Sequence, residues 1–463
     1  MASHFIPMTL TPIDHMMPIC YITFFYSLSV KNPSQGVEVL DEALERLVKE
    51  CPLLACNVGR SSANDAAREN VLEIQPASIY TFAQYPLLRV RLHETQSVTD
   101  RDPGDGLFDN AYRALPLSLA TDFPCPIIRW QANVMRDGIV VAVSFHHSAL
   151  DAGGFYMIQQ TLAHLCRDPN RSHLGIDLES GLLQGRRCLA QMPTISPCAD
   201  LQREDESNVR MADFDLRVNL VSYRLTLLPR RVRSLQNSCN AQVSAGAMNS
   251  TGKHLSSNDI ISGLLWRSII LAQSHSDASQ SIDSRGEKSS IILISEIRRK
   301  LMPALPASYL GNAIVQQVAT TDTKSVLVPS TLEQNELVQL THLAQKIHDA
   351  SMQVTDLSVK SLLRQKQRVL DWRPQFKQGD VTSTSLRRMP IYDLDFGTVL
   401  GKVIGFDSPD NRIEGTVCML PASSSSIDSL WDIRITLPPN VLSRLRQDSL
   451  IQWAMGLALH PRL

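Results

Sequence analysis

The chain has 463 residues, of which 43% are hydrophobic and 20% are charged, and its 45 basic and 46 acidic residues leave a formal net charge of -1. A single core rarely grows beyond about 300 residues, so this length predicts two domains of comparable size. The balanced charge gives no indication of a nucleic-acid partner. The apolar run PICYITFFYSLSV at 18–30 is shorter than the ~20 residues that a membrane-spanning helix needs, so we expect no membrane span.

The cysteines and the chain end suggest a compartment. Nine cysteines are scattered without a Cys-x-x-Cys pair, which favours reduced thiols inside the cell. We expect a cytoplasmic protein, with a peroxisomal alternative because the final Pro461-Arg462-Leu463 resembles a peroxisomal tail. The sequence contains no oligomerisation signal, so we expect a monomer.

Strand and helix patterns alternate in the first part of the chain. The segment around 19–30 has the pattern of a strand, and VEVLDEALERLVKE at 37–50 has apolar residues at helical spacing until Pro52 stops the pattern. Residues 121–145 predict two strands joined by a turn at 136–138, and helical spacing returns at 155–166. The second of these strands ends in two adjacent histidines.

A long segment without a clear period follows this first part. Residues 181–212 contain prolines and serines, and we interpret them as a crossover linker between two domains. This interpretation gives an N-terminal domain at 1–180 and a C-terminal domain at 213–463.

The second part also alternates strands with helices. A strand at 220–227 precedes a basic helix that Pro229 opens, and Ser256 and Asp259 have the spacing of a capping box for a helix that continues to residue 273. Later segments repeat the strand-then-helix order. The pattern predicts an α/β fold with mixed sheets.

The stretch VVAVSFHHSALDAGG at 140–154 carries the chemistry, and three interpretations of it compete. In the first, both histidines are buried polar residues satisfied by backbone carbonyls, and Asp151 caps the next helix. In the second, His147 and Asp151 bind a metal ion, but no HExxH motif or nearby acidic cluster supplies further ligands. In the third, a histidine at the end of a rigid strand is a general base, and the aspartate and glycines shape the turn that aims it.

A family resemblance favours the third interpretation. FHHSALDAGG resembles the HHxxxDG motif of the coenzyme-A-dependent acyltransferases that include the plant BAHD enzymes and the fungal trichothecene acetyltransferases. SSNDIISGLLWRSI resembles the fungal STNDALSAFIWRS helix, LISEIRRKLMPALPASYLGN resembles the D-x-R segment that ends in Gly-Asn, and IYDLDFGTVLGKV resembles DFGWGKP. The N-terminal LTPIDHMMP and CPLLACNVGR also match the family's opening, so the resemblance covers nearly the whole chain.

The resemblance implies a fold and a reaction. The fold is the two-domain α/β fold of chloramphenicol acetyltransferase, shared with peptide-synthetase condensation domains, with mixed sheets flanked by helices and an active-site channel at the domain interface. The reaction moves an acyl group, most commonly acetyl, from acyl-coenzyme A to a hydroxyl of a secondary metabolite such as a terpenoid, alkaloid or polyketide. No permanently bound cofactor and no metal are implied.

The resemblance also implies roles for single residues. His147 is the general base, and Asp151 points away from the acceptor and pairs with Arg298, the arginine of the D-x-R segment. The other residues that carry over are structural supports of the site: His146, Gly153, Asp395 and Gly397. We expect direct transfer in a ternary complex, because coenzyme A is already a good leaving group and no covalent relay is required. A ping-pong alternative would need a nucleophilic cysteine beside the base. None of the nine lies near His147 in sequence, but proximity in space stays open.

The coenzyme contacts are less specific. Lys253, Ser256 and Ser257 precede a helix N-terminus, a location suited to phosphates, and Lys402 follows the DFG-like segment. A plain helix cap explains the serines equally well, and a solvated lysine explains Lys402.

The chain departs from the family pattern at four positions. Ala152 replaces the glycine that directly follows the motif aspartate, with Gly153 and Gly154 after it. Thr398 stands where plant members have tryptophan, Val403 replaces the proline after Gly-Lys, and Glu296 replaces the aspartate of D-x-R. These changes point to the fungal branch of the family.

Two rival functions use the same scaffold. A stand-alone condensation-type domain would use the same histidine on a carrier-protein thioester, but this chain has no carrier or adenylation segment, and the DFG-like segment favours coenzyme A. A catalytically silent binding protein would not need the base. Retention of His147, Asp151, Gly153 and Arg298 counts against it.

Overall fold

A computed structural model describes most of the chain. The described residues are 7–61, 68–98, 110–170, 177–190, 210–211, 219–245, 254–274, 288–327, 333–368, 371–372, 377–409 and 412–457. The helices are α1 Pro33–Glu50, α2 Ile79–Gln84, α3 Ala152–Arg167, α4 Leu178–Ala190, α5 Pro229–Ser244, α6 Ser257–Ser274, α7 Thr323–Leu327, α8 Glu333–Met352, α9 Asp356–Gln367, α10 Gly397–Leu400, α11 Pro439–Leu445 and α12 Ser449–Met455.

Four sheets contain the strands of the described residues. The strands are β1 Met8–Thr9, β2 Tyr21–Ser29, β3 Asn57–Arg60, β4 Leu72–Gln75, β5 Leu88–His93, β6 Cys125–Pro126, β7 Ile128–Met135, β8 Gly138–His146, β9 Arg210–Met211, β10 Val221–Leu227, β11 Lys288–Glu296, β12 Ile314–Asp322, β13 Lys377–Gln378, β14 Val381–Ser385, β15 Val403–Asp407, β16 Thr416–Met419 and β17 Trp431–Leu437. The sheet orders are β15-β2-β8-β7-β5, β10-β17-β16-β14-β11-β12, β1-β4-β3-β6 and β13-β9. The two larger sheets are mixed, which confirms the predicted fold class.

The five-stranded sheet delivers the histidines. Strands β7 and β8 form the predicted hairpin, and β8 also pairs with β2, with Tyr21 opposite His146. Helices α1 and α3 pack against each other, and their apolar residues share one core with this sheet. Because β8 is buried over its whole length, the position of its last residue is held by neighbours on both sides.

The six-stranded sheet separates apolar from polar residues by strand alternation. Ile291, Ile433 and Ile435 belong to a second core with residues of α5, α6 and α8. Alternation places the other set on the opposite face, where Thr436 and Arg434 lie. Arg434 pairs there with Asp407 of β15, a strand that joins the five-stranded sheet beside β2. This buried ion pair connects the two large sheets.

The described part of the predicted linker differs from an irregular crossover. Residues 181–190 belong to α4, whose buried residues include Leu178, Leu182 and Leu189. The spacing of these leucines is helical, but Gly181, Gly185 and two arginines obscured it. The glycines have a packing reason, because a Cβ at Gly185 would lie 2.2 Å from the ring of Tyr309. The boundaries at 180 and 213 stay a prediction.

No helix among the described residues combines the length and apolar character that crossing a membrane requires.

Candidate active site

His146 is locked into the protein by both ring nitrogens. Its Nε2 lies 3.1 Å from the Ala120 carbonyl, and its Nδ1 accepts the Ser148 N–H at 3.3 Å. A carbonyl can only accept, so Nε2 carries the proton. The ring is fully buried, and burial lowers the pKa of His146 to about 4. This geometry agrees with a neutral His146 that supports the turn, and its role in the site stays a prediction.

His147 has the opposite tautomer. Its Nδ1 lies 3.2 Å from the Leu150 carbonyl and must donate to it, which leaves the lone pair on Nε2. Burial lowers the pKa of His147 and nearby Arg412 lowers it further, while the Leu150 carbonyl and Asp151 raise it in part. The net pKa lies below the ordinary value of histidine. A partly exposed, neutral imidazole with a free Nε2 lone pair can accept a proton from a bound hydroxyl.

Asp151 makes the predicted ion pair with Arg298. The guanidinium binds the carboxylate through two bonds, Nη2 to Oδ1 at 2.7 Å and Nη1 to Oδ2 at 3.0 Å. Asp151 also caps α3 through the Gly154 N–H and accepts the Ala313 N–H at 2.9 Å. Burial raises the pKa of Asp151, but Arg298 and these bonds outweigh it, so the pKa lies below its ordinary range. Both carboxylate oxygens are therefore occupied by Arg298 and by backbone N–H groups.

The two glycines after Asp151 have a reason that sequence reasoning missed. We expected them to let the backbone turn tightly, yet neither has a positive φ. A Cβ at Gly153 would lie 2.7 Å from Nη1 of Arg298, and one at Gly154 would lie 2.0 Å from the Leu310 carbonyl oxygen. Both glycines make room for the segment that carries Arg298. Only the structure shows which distant residues approach so closely.

The DFG-like segment lies against α3 and the five-stranded sheet. The Asp395 carboxylate accepts the Gly397 N–H, the backbones of Asp395 and Lys402 form an antiparallel β-bridge, and Phe396 stacks on Tyr26. Gly397 has φ +91°, a left-handed conformation that favours glycine. This geometry agrees with a structural role for Asp395 and Gly397. Lys402 is exposed, and its predicted contact with the coenzyme stays a prediction.

The two serines at the start of α6 already have protein partners. Ser256 and Asp259 form the predicted capping box, with the Ser256 N–H and hydroxyl each 2.8 Å from Oδ2 of Asp259. The Ser257 hydroxyl donates to Gln236. Lys253 lies outside the described residues. The roles of these three residues in coenzyme binding stay predictions.

A basic cavity of about 640 Å³ lies beside Ser257. Sequence reasoning did not assign it, because its basic side chains come from α5 and from the loop after β14. Its charged and aromatic lining residues include Arg233, His254, Arg387, Arg388, Asp393 and Trp431. Arg387 stacks on Trp431 at 4.2 Å, and Arg388 is exposed. His147 is not among the lining residues. A cavity with three arginines suits an anionic ligand.

The backbone of Cys20 contacts the backbone of His147. Its carbonyl accepts the His147 N–H at 2.9 Å, a proximity that a separation of 127 positions hid in the sequence. Its side chain is buried. Among the described residues, no group of three or more His, Cys, Asp or Glu side chains could hold a metal ion.

A family model described as the Transferase family matches residues 3–450. The chain therefore belongs to the BAHD transferase family. The O-acetyltransferase pyr7 of Aspergillus fumigatus is 27% identical, over 97% of this chain and 92% of its own length. The communesin N16 acyltransferase cnsK of Penicillium expansum is 26% identical, over 97% of this chain and 98% of its own.

A solved structure supports the same fold. F. sporotrichioides TRI101, complexed with coenzyme A and T-2, is 18% identical and superposes with a TM-score of 0.75. The match covers 97% of this chain and 99% of that one. At this identity the likeness shows the fold alone, and it confirms the fold that the resemblance implies.

Proposed function

We propose that this BAHD transferase is an acyl-coenzyme-A-dependent O-acyltransferase, with acetyl as the usual acyl group, that acts on a hydroxyl of a secondary metabolite. The observation that carries the proposal is the tautomer of His147, whose Nδ1 is committed to the Leu150 carbonyl and whose Nε2 is left as a base. The names of the fungal relatives support the reaction class. Their acceptors differ, so the acceptor of this chain is proposed only as a class.

The proposed reaction is direct transfer. Nε2 of His147 takes the proton of the acceptor hydroxyl as its oxygen attacks the thioester carbonyl, which forms a tetrahedral intermediate. The C–S bond then breaks, and the thiolate of coenzyme A leaves and takes the proton from the imidazolium. The low pKa of His147 suits this cycle, because the ring is neutral at pH 7 before the acceptor arrives.

The basic cavity is the proposed site for the phosphates of the coenzyme. Arg233, Arg387 and Arg388 supply positive charge, and Trp431 offers an aromatic face. Burial raises the pKa of Tyr156 in α3, and Asp393, which also lines the cavity, raises it further. A long thioester ligand bound in this cavity would have to extend from it to Nε2 of His147.

The deciding experiment measures thiol release from acetyl-coenzyme A with a panel of terpenoid, alkaloid and polyketide alcohols. We expect the His147→Ala variant to lose about 10²–10⁴-fold in kcat, the usual contribution of a positioned base. The matched control His342→Ala, on α8, should keep the wild-type rate. The panel includes amines, because the name of one relative places its acyl group on a nitrogen.

Calorimetric titration with coenzyme A separates the rivals. Binding without transfer to any acceptor would favour a silent binding protein, and no binding to a folded protein would favour a carrier-protein thioester. A His147→Ala variant that keeps full activity would overturn the proposed base. Parallel rather than intersecting double-reciprocal plots would replace direct transfer with a covalent relay, for which Cys20 is the residue to substitute.

We further propose that the protein is a cytoplasmic monomer. The lack of an oligomerisation signal and of paired cysteines supports this proposal. Light scattering during gel filtration tests the mass. A fluorescent fusion to the N-terminus, compared with and without the last three residues, tests the peroxisomal alternative.

A further inference from the structure

The peptide group of His147 is held on both sides by distant residues. Its N–H donates to the Cys20 carbonyl at 2.9 Å, and its carbonyl accepts from Nδ2 of Asn312 at 2.8 Å. Asn312 follows Gly311, whose carbonyl binds Arg298, and precedes Ala313, whose N–H binds Asp151. The short segment 311–313 therefore holds both ends of the turn that runs from His147 to Asp151.

Asn312 is itself held by Asp14. Oδ1 of Asp14 accepts both Nδ2 of Asn312 at 2.9 Å and its backbone N–H at 3.2 Å. Oδ2 of Asp14 accepts the N–H and the hydroxyl of Thr11, each at 2.8 Å. Asp14 and Asn312 are both fully buried. Thr11 therefore holds the Asp14 carboxylate through one oxygen, while the other oxygen accepts from Asn312.

The orientation of the Asn312 amide is determined by its two acceptors. Both protons of Nδ2 are used, one on Asp14 and one on the His147 carbonyl, so a flipped amide would place oxygen against oxygen. Its Oδ1 has no hydrogen-bond partner among the described residues. A buried acceptor without a partner costs roughly 1–3 kcal/mol, so this position keeps its two donor bonds at the expense of stability.

We propose that Asn312 is a positioning residue for the general base: fixed by Asp14, it holds the His147 carbonyl and thereby the imidazole that Leu150 orients. The inference rests on the proposed function of His147. Loss of the Asn312 bond frees the peptide between His147 and Ser148 to rotate, which changes the distance from Nδ1 to the Leu150 carbonyl. Displacement of a reacting group by about 1 Å can cost about 10²-fold in rate.

The test compares two buried asparagines. Asn312→Ala removes the bonds to His147 and Asp14. The control Asn133→Ala, in β7, removes two Nδ2 bonds, to the Tyr112 and Val140 carbonyls, and two Oδ1 contacts, with Gln131 and His93. We expect Asn312→Ala to lower kcat about 10–100-fold with the KM for acetyl-coenzyme A unchanged. The control should keep the wild-type kcat at an equal or greater loss of stability.

A second measurement does not depend on activity. In protein labelled with ¹⁵N-histidine, the wild-type His147 should show a protonated Nδ1 and a bare Nε2, and Asn312→Ala should shift or broaden both signals. If Asn312→Ala does not fold, Asp14→Asn keeps the volume and should give the same change with a smaller loss of kcat. Its control is Asp259→Asn at α6, because Asp259 accepts the N–H and the hydroxyl of Ser256 just as Asp14 accepts those of Thr11.

The outcomes separate the two proposals. A folded Asn312→Ala with kcat within threefold of wild type, or with unchanged His147 signals, would overturn the positioning role. A wild-type protein that transfers no acyl group would overturn the proposed function, yet the ¹⁵N spectra would still decide whether Asn312 sets the tautomer of His147.

Discussion

The starts of α3 and α6 solve the same local problem with different partners. At α6, Asp259 bonds to Ser256, three residues away, with His348 of α8 as a further contact. At α3, Asp151 also bonds three residues along, to Gly154, but its remaining bonds come from Arg298 and Ala313, at separations of 147 and 162 residues. The first start is a helix cap. The second is a cap whose aspartate, Asp151, also binds Arg298 and Ala313.

This difference explains what each region is for. A local cap positions only its own helix, whereas the bonds at Asp151 hold a turn in which one residue, His147, remains partly exposed. The long-range polar contacts of Asp151 lie at the turn whose histidine side chain must be held in one orientation. Three experiments sharpen this contrast.

The largest expected contrast is in the free energy of unfolding. Asp151→Ala leaves the Arg298 guanidinium buried without its carboxylate, which should cost about 3–5 kcal/mol. Asp259→Ala removes a cap, which should cost about 1 kcal/mol. Urea unfolding of both variants measures the two losses. Equal losses would mean that the connection to Arg298 adds nothing to a cap.

Acid should destabilise the α3 turn through His146. The pKa of His146 is about 4 in the folded protein against 6.5 for an ordinary histidine, so the unfolded state binds the proton first as pH falls. The stability from this residue is complete above pH 6.5 and is lost between 6.5 and about 4, a change of about 3 kcal/mol.

Unfolding of wild type and His146→Gln at pH 7 and pH 4.5 isolates this contribution. The glutamine variant should depend less steeply on pH, because Gln does not titrate. Identical slopes for wild type and His146→Gln would contradict the assignment.

The smallest expected contrast concerns two helical glycines. A Cβ at Gly154 in α3 would lie 2.0 Å from the Leu310 backbone, so Gly154→Ala should cost about 1–3 kcal/mol. A Cβ at Gly263 in α6 would lie 3.2 Å from the Ala344 backbone, and the better helix propensity of alanine, about 1 kcal/mol, offsets that crowding. Thermal unfolding ranks the two variants. A tolerated Gly154→Ala would show that segment 310–313 can move away from α3.

The same contrast marks how far sequence reasoning extends. The strand and turn patterns around residues 121–145, the helix at α1 and the Ser256 box were predictable, because the interactions that form them lie within a few residues. The pair of Asp151 with Arg298 was reached through family resemblance. The positions of Asn312, Asp14 and Cys20 around His147 depend on contacts between residues more than 120 positions apart, and no local pattern encodes them.

Two further misses have physical causes. Helix α4 was interpreted as part of a linker, because its glycines and arginines interrupt the apolar period. The structure explains the glycine at 185, which packs against the ring of Tyr309. The basic cavity combines residues from four separate segments, 229–237, 254–257, 387–393 and 422–431, each of which is unremarkable alone.

Strand β15 has a consequence for synthesis of the chain. Residues 403–407 complete the five-stranded sheet by pairing with β2, whose residues are translated long before them. Until residues 403–407 emerge from the ribosome, the edge of β2 offers unpaired backbone groups to any other chain. A protein cut after residue 180 would keep the histidines and the exposed edge together, so this half is poorly suited to production as a separate fragment or to exchange as a module.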